Sequence, residues 1–271
     1  MTDQYAVIGN PIQQSKSPII HTAFAQATRQ DLAYTKIEGH VFAADVDAFR
    51  ARGGCGMNIT APFKIDAFAY ASERSERAQL AGAVNALKFD GERVMAENFD
   101  GIGLVRDVTH NLRCPLKGKR VLVLGAGGAT RGALLPILAE QPAELVIANR
   151  SLAKAQELVL IGASKGQIRG CTYSDLEGQT FDVVFNATSA SLKAELPPVP
   201  ASVFTGCTLA YELAYGKGLT PFLRLAQNAG VKQLADGVGM LAEQAAEAFE
   251  WWRGVRPDTR AVIELLTVPL V

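Results

Sequence analysis

The chain has 271 residues, of which 48% are hydrophobic and 20% are charged. Its 27 basic and 27 acidic residues balance, so charge gives no reason to expect binding to nucleic acid or to an anionic membrane surface. The length suffices for two domains or one large one, and no apolar run approaches the length that spans a bilayer. Four scattered cysteines without paired spacing predict reduced thiols in a cytoplasmic protein and no metal site.

A strand pattern from Tyr5 to Ile8 comes first, and Ser15-Lys16-Ser17-Pro18 then precedes an apolar-periodic run. Pro18 suits the first position of a helix, and Ser17 suits its N-cap. Hydroxyl groups at a helix N-terminus can also bind a carboxylate. Ser15 and Ser17 are therefore a candidate anion site, with a simple capped helix as the alternative.

The next candidate residues lie around a strand end at Met57 to Thr60. Alternation places Asn58 and Thr60 on one face of this strand, and Pro62 ends it. Lys64 then falls at the start of a helix, where a cation opposes the macrodipole. Because local stability does not explain this lysine, the sequence indicates a functional role for it, with a solvated lysine as the alternative.

Two further polar residues stand out downstream. Gly82 ends a helix, and Asn85 follows it at the start of an apolar strand. Asp100 precedes the periodic segment from Ile102 to Leu112, where it could also serve as a helix cap. Together with Lys64, these residues predict one polar cluster at strand ends.

The strongest local pattern is the apolar run Val121 to Leu124 followed by a glycine cluster and an apolar-periodic segment. It predicts a buried strand, a tight turn and a helix, whose N-terminus would bind a pyrophosphate. Gly125 would permit the turn, and Gly127 would allow close approach of the phosphate. The third glycine position of the usual dinucleotide-binding pattern is Thr130, so the match is incomplete.

The choice of dinucleotide depends on the end of the following strand, Leu145 to Ala148. NAD sites usually carry an acidic residue there to bind the ribose 2′-hydroxyl. This chain has Asn149 and Arg150 instead, with Lys154 one helical turn later. Since an arginine fork matches phosphate oxygens, we predict an NADP site, with a solvated basic helix start as the alternative.

Together these stretches resemble the shikimate dehydrogenase family over nearly the whole chain. The shared motifs are Gly9-Asn10-Pro11 with Ser15-Lys16-Ser17-Pro18, Asn58-x-Thr60-x-Pro62-Phe63-Lys64, Ala81-Gly82-Ala83-Val84-Asn85, Asn98-x-Asp100-Gly101, Gly125 to Ala129, Asn149-Arg150, Asn186-Ala187-Thr188-Ser189, Tyr211 to Tyr215, and Asp236-Gly237-x-Gly239-Met240-Leu241 with Gln244. The family reduces 3-dehydroshikimate to shikimate with NADPH in aromatic amino acid biosynthesis.

The resemblance implies an α/β protein with two domains. An N-terminal α/β substrate and catalytic domain, residues 1–101, would be completed by C-terminal helices in residues 237–271, because Gln244 belongs to the substrate site. A Rossmann-type NADP-binding domain would occupy residues 102–236. We also expect a small-molecule substrate, no nucleic acid or membrane partner, and a cytoplasmic monomer or homodimer.

Residue roles follow from the same resemblance, position by position. Lys64 and Asp100 match the catalytic pair. Substrate contacts are expected from Ser15, Ser17, Asn58, Thr60, Lys64, Asn85, Asp100, Tyr215 and Gln244. Cofactor contacts are expected from Gly125, Ala126, Gly127, Gly128, Ala129, Asn149, Arg150, Ser151, Lys154, Asn186, Ala187, Thr188 and Gly237.

Four positions depart from the family pattern. Phe99 and Ala86 replace threonines beside Asp100 and Asn85, Gln14 replaces a frequent histidine, and Glu212 replaces a more usual aspartate. The departures leave open a divergent member with weak shikimate activity that acts on quinate or another cyclic hydroxy acid, or a non-catalytic NADP-binding sensor. We predict that Phe99 displaces Asp100 slightly and slows turnover, with a harmless core substitution as the alternative.

Overall fold

The computed structural model describes residues 2–270, so the predicted domain ends at 1 and 271 lie outside the described residues. The chain forms two compact units. The first runs to Gly103 and resumes from Ala242 to Val262, and the second runs from Leu104 to Leu241 and includes the chain from Ile263 onward.

The first unit is a mixed sheet with helices. Its elements, in chain order, are β1 (Asp3–Gly9), α1 (Ser17–Thr28), β2 (Leu32–Glu38), α2 (Phe42–Ala51), β3 (Gly54–Ile59), α3 (Lys64–Tyr70), β4 (Glu73–Arg74), α4 (Glu76–Ala81), β5 (Ala86–Asp90), β6 (Arg93–Glu97) and the start of α5 (Asp100–Arg106). The strand order is β2-β1-β3-β5-β6-β4. β1 pairs in parallel with β2 and β3, whereas β5 is antiparallel to β3 and β6.

Alternation along β1 explains how this sheet is covered on both faces. Ala6 and Ile8 belong to a core cluster that includes Met57 and Phe63. The intervening Tyr5 and Val7 belong to a second cluster with Tyr34, Ala86, Phe99 and Trp252. Trp252, from the C-terminal segment that the first unit includes, therefore belongs to the core of this unit.

The second unit is a parallel sheet between helices. After α5 and a π-helical turn (Asp107–Asn111) come β7 (Arg120–Leu124), α6 (Gly128–Ala139), β8 (Glu144–Ala148), α7 (Leu152–Gly162), β9 (Ile168–Cys171), β10 (Val183–Asn186), β11 (Leu209–Glu212), α8 (Pro221–Asn228), β12 (Gln233–Asp236), the start of α9 (Val238–Arg253) and most of α10 (Arg260–Leu266). All its strand pairs are parallel, in the order β12-β11-β10-β7-β8-β9.

This order is that of a doubly wound dinucleotide-binding sheet, whose order reverses between β7 and β10. Val121 and Val123 pack into one core cluster, and Leu122 and Leu124 pack into another. Burial of both faces accounts for the continuous apolar run that the sequence shows in β7. The predicted fold class, α/β with a Rossmann-type domain, is confirmed.

Some details differ from the sequence predictions. The predicted domain boundaries differ from the compact units at three places. Residues 102–103 lie in the first unit, and residues 237–241 and 263–270 lie in the second, where Leu270 packs against a core cluster. The N-cap of α1 is Lys16 and not Ser17, which is the first helical residue. No helix in residues 2–270 is long and apolar enough to cross a membrane.

Candidate active site and cofactor cleft

A lysine–aspartate ion pair marks the candidate active site in the first unit. Lys64 is the first residue of α3, as predicted, and Asp100 is the first residue of α5. Lys64 Nζ lies 2.5 Å from Asp100 Oδ2, and the two side chains are 34% and 19% exposed. A partly desolvated cation bonded to a carboxylate, and still open to solvent, can exchange a proton with a bound molecule.

Asn85 connects this pair to helix α9. Its Nδ2 donates to Asp100 Oδ1 at 2.8 Å and to Gln244 Oε1 at 3.2 Å. Its Oδ1 accepts a hydrogen bond from the backbone N–H of Phe99 at 2.9 Å. Because an amide nitrogen has two hydrogens, both donors of Asn85 are engaged, and the side chain fixes the position of Asp100.

Asn58 lies near the end of β3, and Thr60 directly follows the last residue of this strand. Asn58 is 6% exposed, and its Oδ1 accepts from the Tyr34 hydroxyl at 2.6 Å. Thr60 packs on Gly9 so closely that a Cβ there would lie 2.4 Å from Thr60 Cγ2. Gly9 therefore allows the turn after β1 to approach Thr60.

The two serines that are predicted to bind a carboxylate lie next to each other at the start of α1. Ser15 Oγ accepts from the Ser17 backbone N–H and donates to Ser17 Oγ, both at 3.3 Å. Ser17 is buried, whereas Ser15 is half-buried. The hydroxyl pair lies at the positive end of the helix, which suits an anion.

The glycine loop of the second unit has the shape that a phosphate group requires. Gly125 adopts φ +100°, and a Cβ there would lie 3.2 Å from the Ala187 carbonyl oxygen. At Gly127 and Gly128 a Cβ would meet nothing within 4 Å, so the outer side of the loop is open. Thr130, at the third glycine position, donates its hydroxyl to the Gly125 carbonyl at 2.7 Å and thereby closes the turn.

Three cations line a cleft of about 600 Å³ beside this loop: Arg150, Lys154 and Lys193. Within residues 2–270, none of the three forms an ion pair, although Glu195 also lines the cleft. Unpaired cations around an open glycine loop suit a ligand with several phosphate groups. The residues present therefore fit NADP, whose 2′-phosphate and pyrophosphate are separate anionic groups.

Not every predicted cofactor residue lines this cleft. Nine do: Gly125, Ala126, Gly127, Asn149, Arg150, Ser151, Lys154, Ala187 and Thr188. Gly128, Ala129, Asn186 and Gly237 do not. Asn186 is fully buried, and its Oδ1 accepts from the backbone N–H and the hydroxyl of Thr188, which does line the cleft. A Cβ on Gly237 would lie 2.1 Å from the Leu213 carbonyl oxygen.

The sequence did not indicate Tyr173 or the segment Ser189 to Pro198 as part of the cleft. Tyr173 follows β9. Burial raises the pKa of the Tyr173 phenol, and the positive charge of the nearby Arg150 opposes this shift. Lys193 could have been suspected only from its position after the Asn186 motif. A lone lysine or tyrosine in a loop carries no pattern of its own.

A buried carboxylate supports the loop that forms one wall of the cleft. Glu212, which is fully buried, accepts from Asn186 Nδ2 at 2.9 Å, Thr220 Oγ1 at 3.2 Å, the Ala214 N–H at 3.3 Å and the Ser191 hydroxyl. Burial raises the pKa of the Glu212 carboxyl, and these donors oppose the shift. The carboxylate thus holds the segments after β10 and after β11 together.

The remaining predicted residues have distinct surroundings. Tyr215 lies in the second unit and is 41% exposed, so its side chain is available to a ligand. Phe99 and Ala86, the two departures next to the ion pair, belong to one core cluster. The Phe99 ring is 3% exposed and packs edge-on against Trp251, with 5.7 Å between ring centroids.

Comparisons with known proteins agree along the chain. Residues 7–87 match the shikimate dehydrogenase substrate binding domain, residues 107–194 match shikimate / quinate 5-dehydrogenase, and residues 237–267 match the shikimate 5′-dehydrogenase C-terminal domain. The chain is 54% identical to the shikimate dehydrogenase (NADP(+)) of Chromobacterium violaceum, covering 98% of both chains.

Solved structures give the same result. The structure of an Ael1 enzyme from Pseudomonas putida is 64% identical, with a TM-score of 0.96, over 99% of this chain and 100% of that one. The shikimate 5-dehydrogenase of Thermus thermophilus, solved in complex with NADP(H) and shikimate, is 28% identical, with a TM-score of 0.85, over 97% of each chain.

Proposed function

Because the chain belongs to the shikimate dehydrogenase family, we propose that it is an NADP-dependent oxidoreductase that interconverts 3-dehydroshikimate and shikimate in aromatic amino acid biosynthesis. The observation that carries the proposal is the ion pair of Lys64 and Asp100, 2.5 Å apart and fixed by Asn85. The cation-lined cleft and the 54% identity to an NADP(+) enzyme support the choice of cofactor.

Substrate recognition follows from the residues of the first unit. Ser15 and Ser17 bind the carboxylate, since their hydroxyls lie together at a helix N-terminus. The ring hydroxyls are bound by Asn58, Thr60, Asn85, Asp100 and Gln244. Tyr215, whose side chain is 41% exposed, is a further substrate-binding residue. Asn85 acts mainly through its remaining oxygen lone pair and through Asp100, because both its donors are engaged.

Lys64 is the proton donor in the reductive direction. The bound NADPH supplies a hydride to the ring carbonyl carbon, and the Lys64 ammonium gives its proton to the oxygen, so that the ketone becomes an alcohol. The Asp100 carboxylate orients the ammonium and stabilises its charge. In the oxidative direction, Lys64 acts as the base that takes the hydroxyl proton.

The cofactor is held by the second unit. Gly125, Ala126 and Gly127, which line the cleft, contact the pyrophosphate, and Gly128 and Ala129 form the start of α6 next to them. Asn149, Arg150, Ser151 and Lys154 bind the 2′-phosphate. Asn186, Ala187, Thr188 and Gly237 shape the nicotinamide end, Asn186 and Gly237 as structural supports.

Domain roles, assembly and location complete the proposal. The substrate and catalytic domain comprises residues 1–101 with residues 237–271, and the NADP-binding domain comprises residues 102–236. The enzyme is a cytoplasmic monomer or homodimer. Four cysteines without disulfide bonds in residues 2–270 support a reducing compartment.

The test is a comparison of substrates and cofactors with purified protein, followed by absorbance of the reduced nicotinamide. Four combinations are compared: shikimate or quinate, each with NADP or NAD. Shikimate with NADP should give the highest kcat/KM of the four. A higher kcat/KM with quinate would favour the divergent-member alternative, which rests on the departures from the family pattern at Phe99 and Ala86. No turnover with any pair would favour the NADP-binding sensor.

A further inference from the structure

Tyr34 is a buried phenol next to one of the residues that bind the substrate, although it does not bind the substrate itself. It lies on β2 and is 9% exposed. Its hydroxyl is 2.6 Å from Asn58 Oδ1, and burial raises the pKa of the Tyr34 phenol. The Tyr34 hydroxyl thus contacts a residue of the ring-hydroxyl site.

The orientation of the Asn58 amide follows from what its neighbours can accept. One end of the amide lies 3.3 Å from the Asn85 backbone carbonyl, which already accepts from the Ile59 N–H at 2.9 Å. A carbonyl oxygen only accepts, so the atom facing it must be Nδ2. The other end is therefore Oδ1, and the Tyr34 hydroxyl must donate to it.

The phenol itself is held by aromatic packing. The His21 ring stacks on Tyr34 with 4.2 Å between centroids and an interplanar angle of 3°. Trp252 and Phe249 lie on other sides of His21, at 5.4 Å and 6.2 Å. Since this cluster is buried, the Tyr34 ring cannot turn its hydroxyl away from Asn58 without disturbing the core.

We propose that Tyr34 is a positioning residue that fixes Asn58 with its amide nitrogen toward the substrate, so that Asn58 donates to a ring oxygen and does not accept from it. The inference rests on the proposed function. Its chemical consequence is that the substrate group at Asn58 is an acceptor, either a ketone oxygen or a hydroxyl that donates elsewhere.

The first experiment is Tyr34→Phe, which removes the hydroxyl and keeps the ring. The amide is then held only by the 3.3 Å bond to Asn85 and can turn. Because the substrate must restore its orientation, KM for shikimate should rise about tenfold. The value of kcat should change less than about threefold, and Kd for NADPH should not change.

Tyr5→Phe is the matched control. Tyr5 is also a buried tyrosine of the first unit, but its hydroxyl meets Arg253 at 3.5 Å. It should therefore leave KM for shikimate unchanged. An equal rise in KM for both variants would show that loss of any buried phenol has this effect, and would overturn the positioning role.

A double-mutant cycle and a second substitution complete the test. In an Asn58→Ala background, Tyr34→Phe should have no further effect on KM, whereas multiplying effects would overturn the proposal. Asn58→Asp keeps an acceptor for Tyr34 but cannot donate, so it should raise KM at least as much as Tyr34→Phe. An unchanged KM in Asn58→Asp would refute donation by Asn58 even if Tyr34→Phe did not fold. Absence of wild-type turnover with shikimate would instead contradict the proposed function.

Discussion

His21 allows a quantitative test of burial in the first unit. Its ring is 1% exposed, and neither ring nitrogen has a hydrogen-bond partner among residues 2–270. Burial lowers the pKa of His21 from 6.5 to about 3, and the nearby Asn58 side chain opposes this shift. The folded chain therefore keeps His21 neutral under conditions in which the unfolded chain protonates it.

The sign and size of the effect follow from proton linkage. A lowered pKa in the folded state means that the full contribution to stability is present above pH 6.5 and is lost as pH falls toward 3. Between pH 8 and pH 5, the free energy of unfolding should decrease by about 2 kcal/mol because of His21 alone. Other titrating groups add their own changes, so a comparison protein is needed.

The comparison protein is His21→Phe, which cannot bind a proton and retains an aromatic ring. Any packing cost is the same at both pH values, so it cancels when the pH 8 to pH 5 change is compared between the proteins. Urea unfolding followed by tryptophan fluorescence is suitable, because both tryptophans of the chain, Trp251 and Trp252, lie in the same unit as His21. Equal pH-dependent losses in the two proteins would refute the argument that His21 is buried and neutral.

Three further predictions concern the active site and the cofactor cleft. Arg150→Ala should raise Kd for NADPH about tenfold to a hundredfold and Kd for NADH much less, as measured by nicotinamide fluorescence. Arg224→Ala, outside the cleft, is the control. Equal losses of affinity for NADPH and NADH in Arg150→Ala would contradict phosphate binding by Arg150. Lys64→Ala should lower kcat about a hundredfold or more, with a smaller change in shikimate affinity; near-normal turnover would exclude Lys64 as the proton donor. Phe99→Thr should lower the free energy of unfolding, measured with urea, by about 3 kcal/mol because the ring is buried. If Phe99 slows turnover, the same variant should have a higher kcat. An unchanged or lower kcat rejects that hypothesis.

Features that depend on neighbouring residues could be predicted from the sequence. The glycine loop and Arg150 follow two consecutive parallel strands of a βαβ unit. The sequence pattern of such a unit is contained in a short stretch of chain. Lys64 was recognisable because a cation at a helix start conflicts with the macrodipole, and the helix does begin at that residue. In each case a short stretch of chain contains the physical reason.

Contacts between distant residues could not be predicted in this way. The bond from Asn85 to Gln244 joins residues 159 positions apart, and that from Tyr34 to Asn58 joins residues 24 apart. Nothing in the pattern around Tyr34 distinguishes it from an ordinary core residue of β2. The N-cap of α1 was predicted wrongly for a different, local reason: Ser17 is the first helical residue, and its hydroxyl bonds with Ser15.

The carboxylate of Glu212 limits which parts of this chain can be exchanged with those of relatives. The side chain reaches Ser191, Asn186 and Thr220 at once, and an aspartate, the more usual residue in the family, is shorter by one methylene group. A loop from 187 to 191 taken from a relative with aspartate would bring a residue 191 that is placed for the shorter side chain. In chimeric enzymes, residue 212 and that loop should therefore be exchanged together.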